Sequence, residues 1–139
     1  MLAEDIKAKS FQATIAAGEF SKLYFETFDK RRQAIIKMYQ EKATLVWNGH
    51  YVSGADEIMK FFDKLPQSEY TVEGMDTQPI LADTVSKGIN SIIVTVFGKV
   101  KFKESEKKVP ESKVFAQTFI LSAHDNKWKI DSDNMRFMD

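Results

Sequence analysis

The chain has no cysteine, which excludes disulfides, thiolate nucleophiles and cysteine zinc sites together. Its two histidines, His50 and His124, stand at no spacing from acids that would hold a metal. Net charge is also missing: 20 basic residues offset 20 acidic ones, so no net field draws the chain to nucleic acid or lipid. No stretch approaches the ~18 consecutive apolar residues of a membrane span. The first residues, Met1-Leu2-Ala3-Glu4-Asp5-Ile6-Lys7, bring acids early and contain no apolar h-region, so no secretory signal is expected. Phosphate loops, dinucleotide fingerprints and serine elbows are absent, as are repeats and low-complexity linkers. No acid stands alone in the apolar core of a strand, so no cavity base is expected and no cofactor is implied. A reducing compartment, cytosol or nucleus, fits the lack of cysteine.

Aromatic side chains are plentiful: 11 Phe, 4 Tyr and 2 Trp supply a large apolar payload for 139 residues. That length predicts one domain, 1–139, with one substantial core. Residues 4–28 read as a helix, because Phe20, Tyr24 and Phe28 recur every four residues beside Ala16 and Leu23. Asp29 is placed to cap a second helix, Lys30 to Tyr39, with Ile35, Ile36 and Tyr39 buried. The period then changes to two. Ala43–Trp47 is a strand, and Asn48-Gly49 turns it into a hairpin with His50-Tyr51-Val52. Trp47 is read as a core residue. A third helix, Ala55 to Leu65, places Ile58, Phe61, Phe62 and Leu65 on one stripe and stops at Pro66.

Strands occupy the rest. Glu69 to Ile80 is interrupted by Gly74, which signals a bulge or bend. Ile89 to Phe102 sets Ile92, Val94, Val96, Val100 and Phe102 on one face, with Ile93, Thr95 and Phe97 on the other. Val114 to His124 opposes Phe115, Phe119 and Leu121 to Val114, Ala116 and Ile120, and Asp125-Asn126 turns into the last strand. Alternation there puts Trp128, Ile130, Ser132, Asn134 and Arg136 on one face and Met135 and Phe137 on the other. Helices followed by long antiparallel strands read as α+β, a curved sheet wrapped on helices. Apolar residues on both sheet faces are expected if a second subunit covers one of them. The Lys-rich loop from Lys99 to Lys113 interleaves Glu104, Glu106 and Glu111, so it reads as a solvated loop and not as a nucleic-acid patch.

Four segments taken in order resemble the nuclear transport factor two-like family: Phe28-Asp29-Lys30-Arg31-Arg32, Ala43-Thr44-Leu45-Val46-Trp47-Asn48-Gly49, Phe61-Phe62-Asp63-Lys64-Leu65-Pro66 and Ser132-Asp133-Asn134-Met135-Arg136-Phe137. The likeness spans nearly the whole chain and is greatest to the family's small messenger-RNA export cofactors. It implies a cone-shaped α+β fold, with N-terminal helices packed on a strongly bent, antiparallel-rich sheet. It also implies a heterodimer, in which the outer sheet face meets a related domain of a large export receptor. That receptor engages phenylalanine-glycine nucleoporins and shuttles between nucleus and cytoplasm through the pore.

The family arginine that pairs with a receptor carboxylate maps onto Arg136, and Asn134 shares its face. Ile93, Phe97, Phe119 and Leu121 are candidates for packing against the receptor; which sheet face meets it is left open by alternation. Two copies of the chain would bring Arg136 toward no acid, which disfavours like-with-like pairing.

The family's homodimeric Ran-GDP importer carries an acid after the strand tryptophan, where this chain has Asn48, and further acids where this chain has Lys103 and Lys107. The expected function is therefore a non-catalytic export adaptor. The Ran importer is the first alternative, and a small cone-fold isomerase or dehydratase is the second. No membrane partner and no sequence-specific nucleic-acid contact are expected.

Overall fold

The computed structural model describes residues 3–80, 91–104, 109–125 and 127–139. Helix α1 (Ala3–Lys30) is followed by a 3-10 helix (Arg32–Met38), strands β1 (Tyr39–Trp47) and β2 (His50–Ser53), and helix α2 (Ala55–Asp63). Four long strands complete the chain: β3 (Gln67–Ile80), β4 (Ser91–Lys103), β5 (Ser112–His124) and β6 (Lys127–Phe137). The part of the expected strand that begins at Ile89, and Asn126 of the expected turn, lie outside the described residues.

The six strands form one sheet in the order β2-β1-β6-β5-β4-β3. Only the β1–β6 pair is parallel; the other four pairs are antiparallel. α1 buries Ala13, Ala17, Phe20, Tyr24 and Phe28, a stripe at helical spacing, against the inner sheet face. That face contributes Val94 and Val96 from β4, Phe115, Phe119 and Leu121 from β5, and Met135 from β6. Phe119 sits among aromatic rings, with its centroid 5.2 Å from Phe20 and 4.9 Å from Tyr24, both edge-on. The cone is filled with side chains.

The second helix differs from expectation. Asp29 stays in the last turn of α1, and its carboxylate accepts from Ser68 Oγ (2.7 Å) and the Tyr70 backbone N–H (2.9 Å). Left without a side-chain cap, the seven residues that follow wind as a 3-10 helix, and Tyr39 passes into β1. Arg32 then acts as a clamp. Its guanidinium donates to the carbonyls of Phe62 (3.3 Å), Leu65 (3.1 Å) and Pro66 (2.9 Å), so one side chain satisfies the open end of α2.

Two bulges bend the sheet. Glu73 is the extra residue in β3, between Val72, which pairs with Gly98, and Gly74, which pairs with Phe97. A Cβ at Gly98 would collide with the Thr71 carbonyl, so only glycine allows β3 and β4 to close there. In β6 the extra residue is Asp131: Ile120 pairs with Ser132, whereas Leu121 pairs with Ile130. This bulge corrects the simple alternation. Ile130 is fully buried in the core, while Ser132, Asn134 and Arg136 point outward, and half-buried Trp128 packs against the core.

Candidate functional site

On the outer sheet face the strand registers bring three rows of side chains into line. The first runs Thr44, Ser132, Ile120, Ile93, Gln78 across β1, β6, β5, β4 and β3. The second runs Val46, Asn134, Thr118, Thr95, Asp76. The third runs Arg136, Ala116, Phe97, Gly74. Arg136, Asn134 and Phe97 are exposed, Phe97 by 45%, and Ile93 is half-buried. Gly74 serves this face directly, because the Phe97 ring occupies the space a Cβ there would need. No helix among the described residues covers the face.

Arg136, Asn134, Ile93 and Phe97, four of the six expected contact residues, thus share one surface. The other two do not. Phe119 has 0% exposure and points into the cone, as does Leu121, because both lie on the inner side of β5. Their outward neighbours on that strand are Ala116, Thr118 and Ile120. Sequence reasoning missed Ile120, Val46 and Asp76 as members of the face. Asp76 is an acid on the same face as Arg136. Its outward direction depends on the bulge at Glu73, and only the Gly74 signal hinted at that.

The Asn48-Gly49 turn holds the end of the face in place. Asn48 has φ 48° and Gly49 φ 85°, the left-handed pair that a tight hairpin requires. Asn48 N–H donates to the Met135 carbonyl (2.9 Å), and Asn48 Oδ1 accepts from Phe137 N–H (2.8 Å). These bonds straddle Arg136, whose Nη1 lies 3.6 Å from where a Cβ on Gly49 would stand. The turn therefore grips β6 on both sides of the arginine.

Two polar clusters bear on enzymatic readings. Inside the cone, Asp133 is 1% exposed, which overturns the expectation that strand cores lack an acid. Tyr39 O–H donates to Asp133 Oδ2 at 2.6 Å, and Gln117 Nε2 donates to Oδ1 at 2.8 Å. Because Tyr39 gives its proton to the carboxylate, Tyr24 must be the donor in the 2.6 Å Tyr24–Tyr39 bond. Burial pushes the Asp133 carboxyl up to about 6 despite these bonds, and burial raises Tyr24 and Tyr39 well above the usual tyrosine range. Gln117 Oε1 is buried without a partner. With Tyr24, Tyr39, Gln117 and Asp133 each at most 3% exposed, the cluster has no open approach for substrate.

The second cluster is Ser122, His124 and Asp131. Ser122 O–H donates to Asp131 Oδ1 (3.0 Å), so His124 Nε2, at 2.9 Å, must donate to Ser122. A histidine that donates to the serine is no base for it, and the trio braces the Asp131 bulge. His50 stacks on Phe61 at 5.6 Å. Among the described residues, no group of three or more His, Asp or Glu could hold a metal ion, and no helix is long and apolar enough to cross a membrane. Glu106 and Lys107 of the mixed-charge loop lie outside the described residues.

Residues 16–137 match the Nuclear transport factor 2 (NTF2) domain. The chain is 41% identical over 139 residues to human NTF2-related export protein 2, covering 97% of this chain and 94% of that protein. Among solved structures, nuclear transport factor 2 from Cryptosporidium parvum superposes with a TM-score of 0.76 at 22% identity, covering 91% of this chain and 94% of that one. The C. albicans Mtr2–Mex67 M domain complex contains a chain that superposes with a TM-score of 0.70 at 16% identity, covering 90% and 94%. At these identities the two structures speak for the fold alone. The bent sheet, the filled cone and the family match over most of the chain agree: this chain belongs to the nuclear transport factor 2 domain family.

Proposed function

We propose that this chain is the small, non-catalytic subunit of a messenger-RNA export heterodimer. In this reading its outer sheet face docks on a related domain of a large export receptor. The observation that carries the proposal is that face, where Ile93, Ile120, Val46 and Phe97 are displayed between polar side chains with Arg136 at the margin. Such an alternation of apolar and polar side chains suits an interface between folded domains. The export-protein relative and the Mtr2–Mex67 complex support the choice of partner. Arg136 pairs with a receptor carboxylate in two parallel hydrogen bonds, and Asn134 lies beside it. The complex shuttles between nucleus and cytoplasm, meeting phenylalanine-glycine nucleoporins mainly through the receptor. The sealed state of Asp133 supports a role without catalysis.

One observation favours a second reading, a homodimer. Asp76 and Arg136 occupy the same face, so a two-fold arrangement would give each arginine an acid. Asn48, in place of an importer acid, weighs against Ran as the cargo of such a dimer.

The test is co-purification with the receptor's related domain, with stoichiometry measured by light scattering for the wild type and for Arg136→Glu. A one-to-one complex is expected, and the exposed substitution should abolish it without lowering the melting temperature. Stranding the partner's carboxylate costs ~3–5 kcal/mol by the rule for broken buried pairs. A stable homodimer indifferent to the receptor domain, dissociated by Asp76→Lys, would replace the proposal with the second reading. Unchanged affinity in Arg136→Glu would move the contact away from this residue.

A further inference from the structure

The three rows of side chains that cross the outer face contain two charges, Arg136 on β6 and Asp76 on β3. Both side chains are exposed, and neither forms an ion pair among the described residues. The next charges beyond Phe97 and Gly74, Lys99 and Glu73, lie 3.8 Å apart and pair with each other. Three inter-strand steps of ~4.8 Å and two residues of ~3.3 Å separate Arg136 from Asp76 by about 16 Å. That is about twice the ~8 Å Debye length at physiological salt, so the two charges do little for each other. Asp76 does little for the fold either. Aspartate is depleted in strands, and the neighbours in its row, Thr95 and Thr118, hydrogen-bond to each other at 3.3 Å.

We infer that Asp76 is the second charged contact of this face, pairing with a lysine or arginine of the docked receptor domain and, with Arg136, fixing how that domain is turned on the sheet. The inference rests on the reading of the outer face as the receptor-binding surface. A single charge, Arg136, is satisfied by a carboxylate wherever the rest of the partner points. Two charges of opposite sign define a direction. A partner rotated by half a turn in the plane of the sheet sets its cation against Arg136 and its carboxylate against Asp76, so both contacts become repulsive. Asp76 lies on the edge strand β3, at the rim of the face, where water reaches the pair. Its effect therefore falls on association rate and orientation more than on residence time. Charges on edge strands also deter edge-to-edge pairing, a task that lysine performs as well as aspartate. Reversing the sign at this position separates the two roles.

The measurement is binding of the whole chain to the receptor's related domain, followed by surface plasmon resonance at low and high salt. Asp76→Lys should weaken affinity by about tenfold or more, chiefly through slower association, and the deficit should shrink as salt rises. Asp76→Asn should fall between that variant and the wild type. Glu69→Lys makes the same change of net charge on the same strand, outside the three rows, and should bind nearly as the wild type does. Asp76 and Glu69 are both exposed, so melting temperatures should not move. Wild-type binding that Arg136→Glu abolishes and Asp76→Lys leaves unchanged overturns the inference while the receptor reading stands. Equal losses in Asp76→Lys and Glu69→Lys also overturn it, since net charge alone would then account for the effect. No binding by the wild type removes the receptor reading and the inference with it. A homodimer that Asp76→Lys dissociates replaces the receptor's cation with Arg136 of a second copy.

Discussion

Replacing Asp133 by asparagine tests the electrostatics of the filled cone. The Asp133 carboxyl is raised from 3.8 to about 6, and desolvation is the largest cause. A difference of about 2 pH units corresponds to about 3 kcal/mol at 1.36 kcal/mol per unit. The folded chain holds this proton more tightly than the unfolded one. The stability it contributes is therefore fully present below pH ~4, lost as pH rises toward ~6, and absent above.

The substituted amide cannot ionise. It can donate to Tyr39 while its carbonyl accepts from Gln117, keeping both contacts. Exchange of the charge-assisted bonds shifts the whole curve by an amount that does not depend on pH. The informative quantity is the difference in unfolding free energy between Asp133→Asn and the wild type, measured by urea titration from pH 4 to pH 8. That difference should move in favour of the variant by about 2.4 kcal/mol between pH 4 and pH 7, then level off. A difference that stays flat across this range would refute the reasoning, since Asp133 would then ionise as readily in the folded chain as in the unfolded one.

Three further substitutions separate architecture from interface. Phe119→Ala removes a ring packed against Phe20 and Tyr24 and should destabilise the fold by ~3–5 kcal/mol in denaturant titration. Among variants that remain folded, affinity at the outer face should not change. Arg32→Lys leaves most of the carbonyls of Phe62, Leu65 and Pro66 without a donor, so a loss of ~2–4 kcal/mol is expected although the charge is kept. Equal stability would show that these carbonyls find water instead. Asn48→Ala deletes the acceptor for Phe137 N–H and the side chain best suited to the left-handed turn, at about 1 kcal/mol. Because the turn grips β6 on both sides of Arg136, this change should weaken partner binding more than it lowers the melting temperature.

Periodicity alone was enough for much of the architecture. Phe20, Tyr24 and Phe28 at helical spacing, and Val94 and Val96 opposite Ile93 and Phe97, have one arrangement that buries the first sets and leaves the second outside. Arg136 was singled out by the family resemblance, and parity put Asn134 on its face but wrongly joined both to Ile130. Parity fails at a bulge, and a bulge is a property of paired strands. The extra residue Asp131 turned Ile130 inward, and Glu73 set Asp76 on the outer face beside Thr95. Phe119 went to the core because it lies on the inner side of β5, where α1 supplies two rings to meet it. Asp133 was hidden for a related reason. In the sequence it sits between Ser132 and Asn134 like any surface acid, and only folding brings Tyr39, 94 residues away, to donate to it. Short-range pattern sets which side of an element is apolar; the partners of a buried charge, and the register that delivers them, come from contacts distant in sequence.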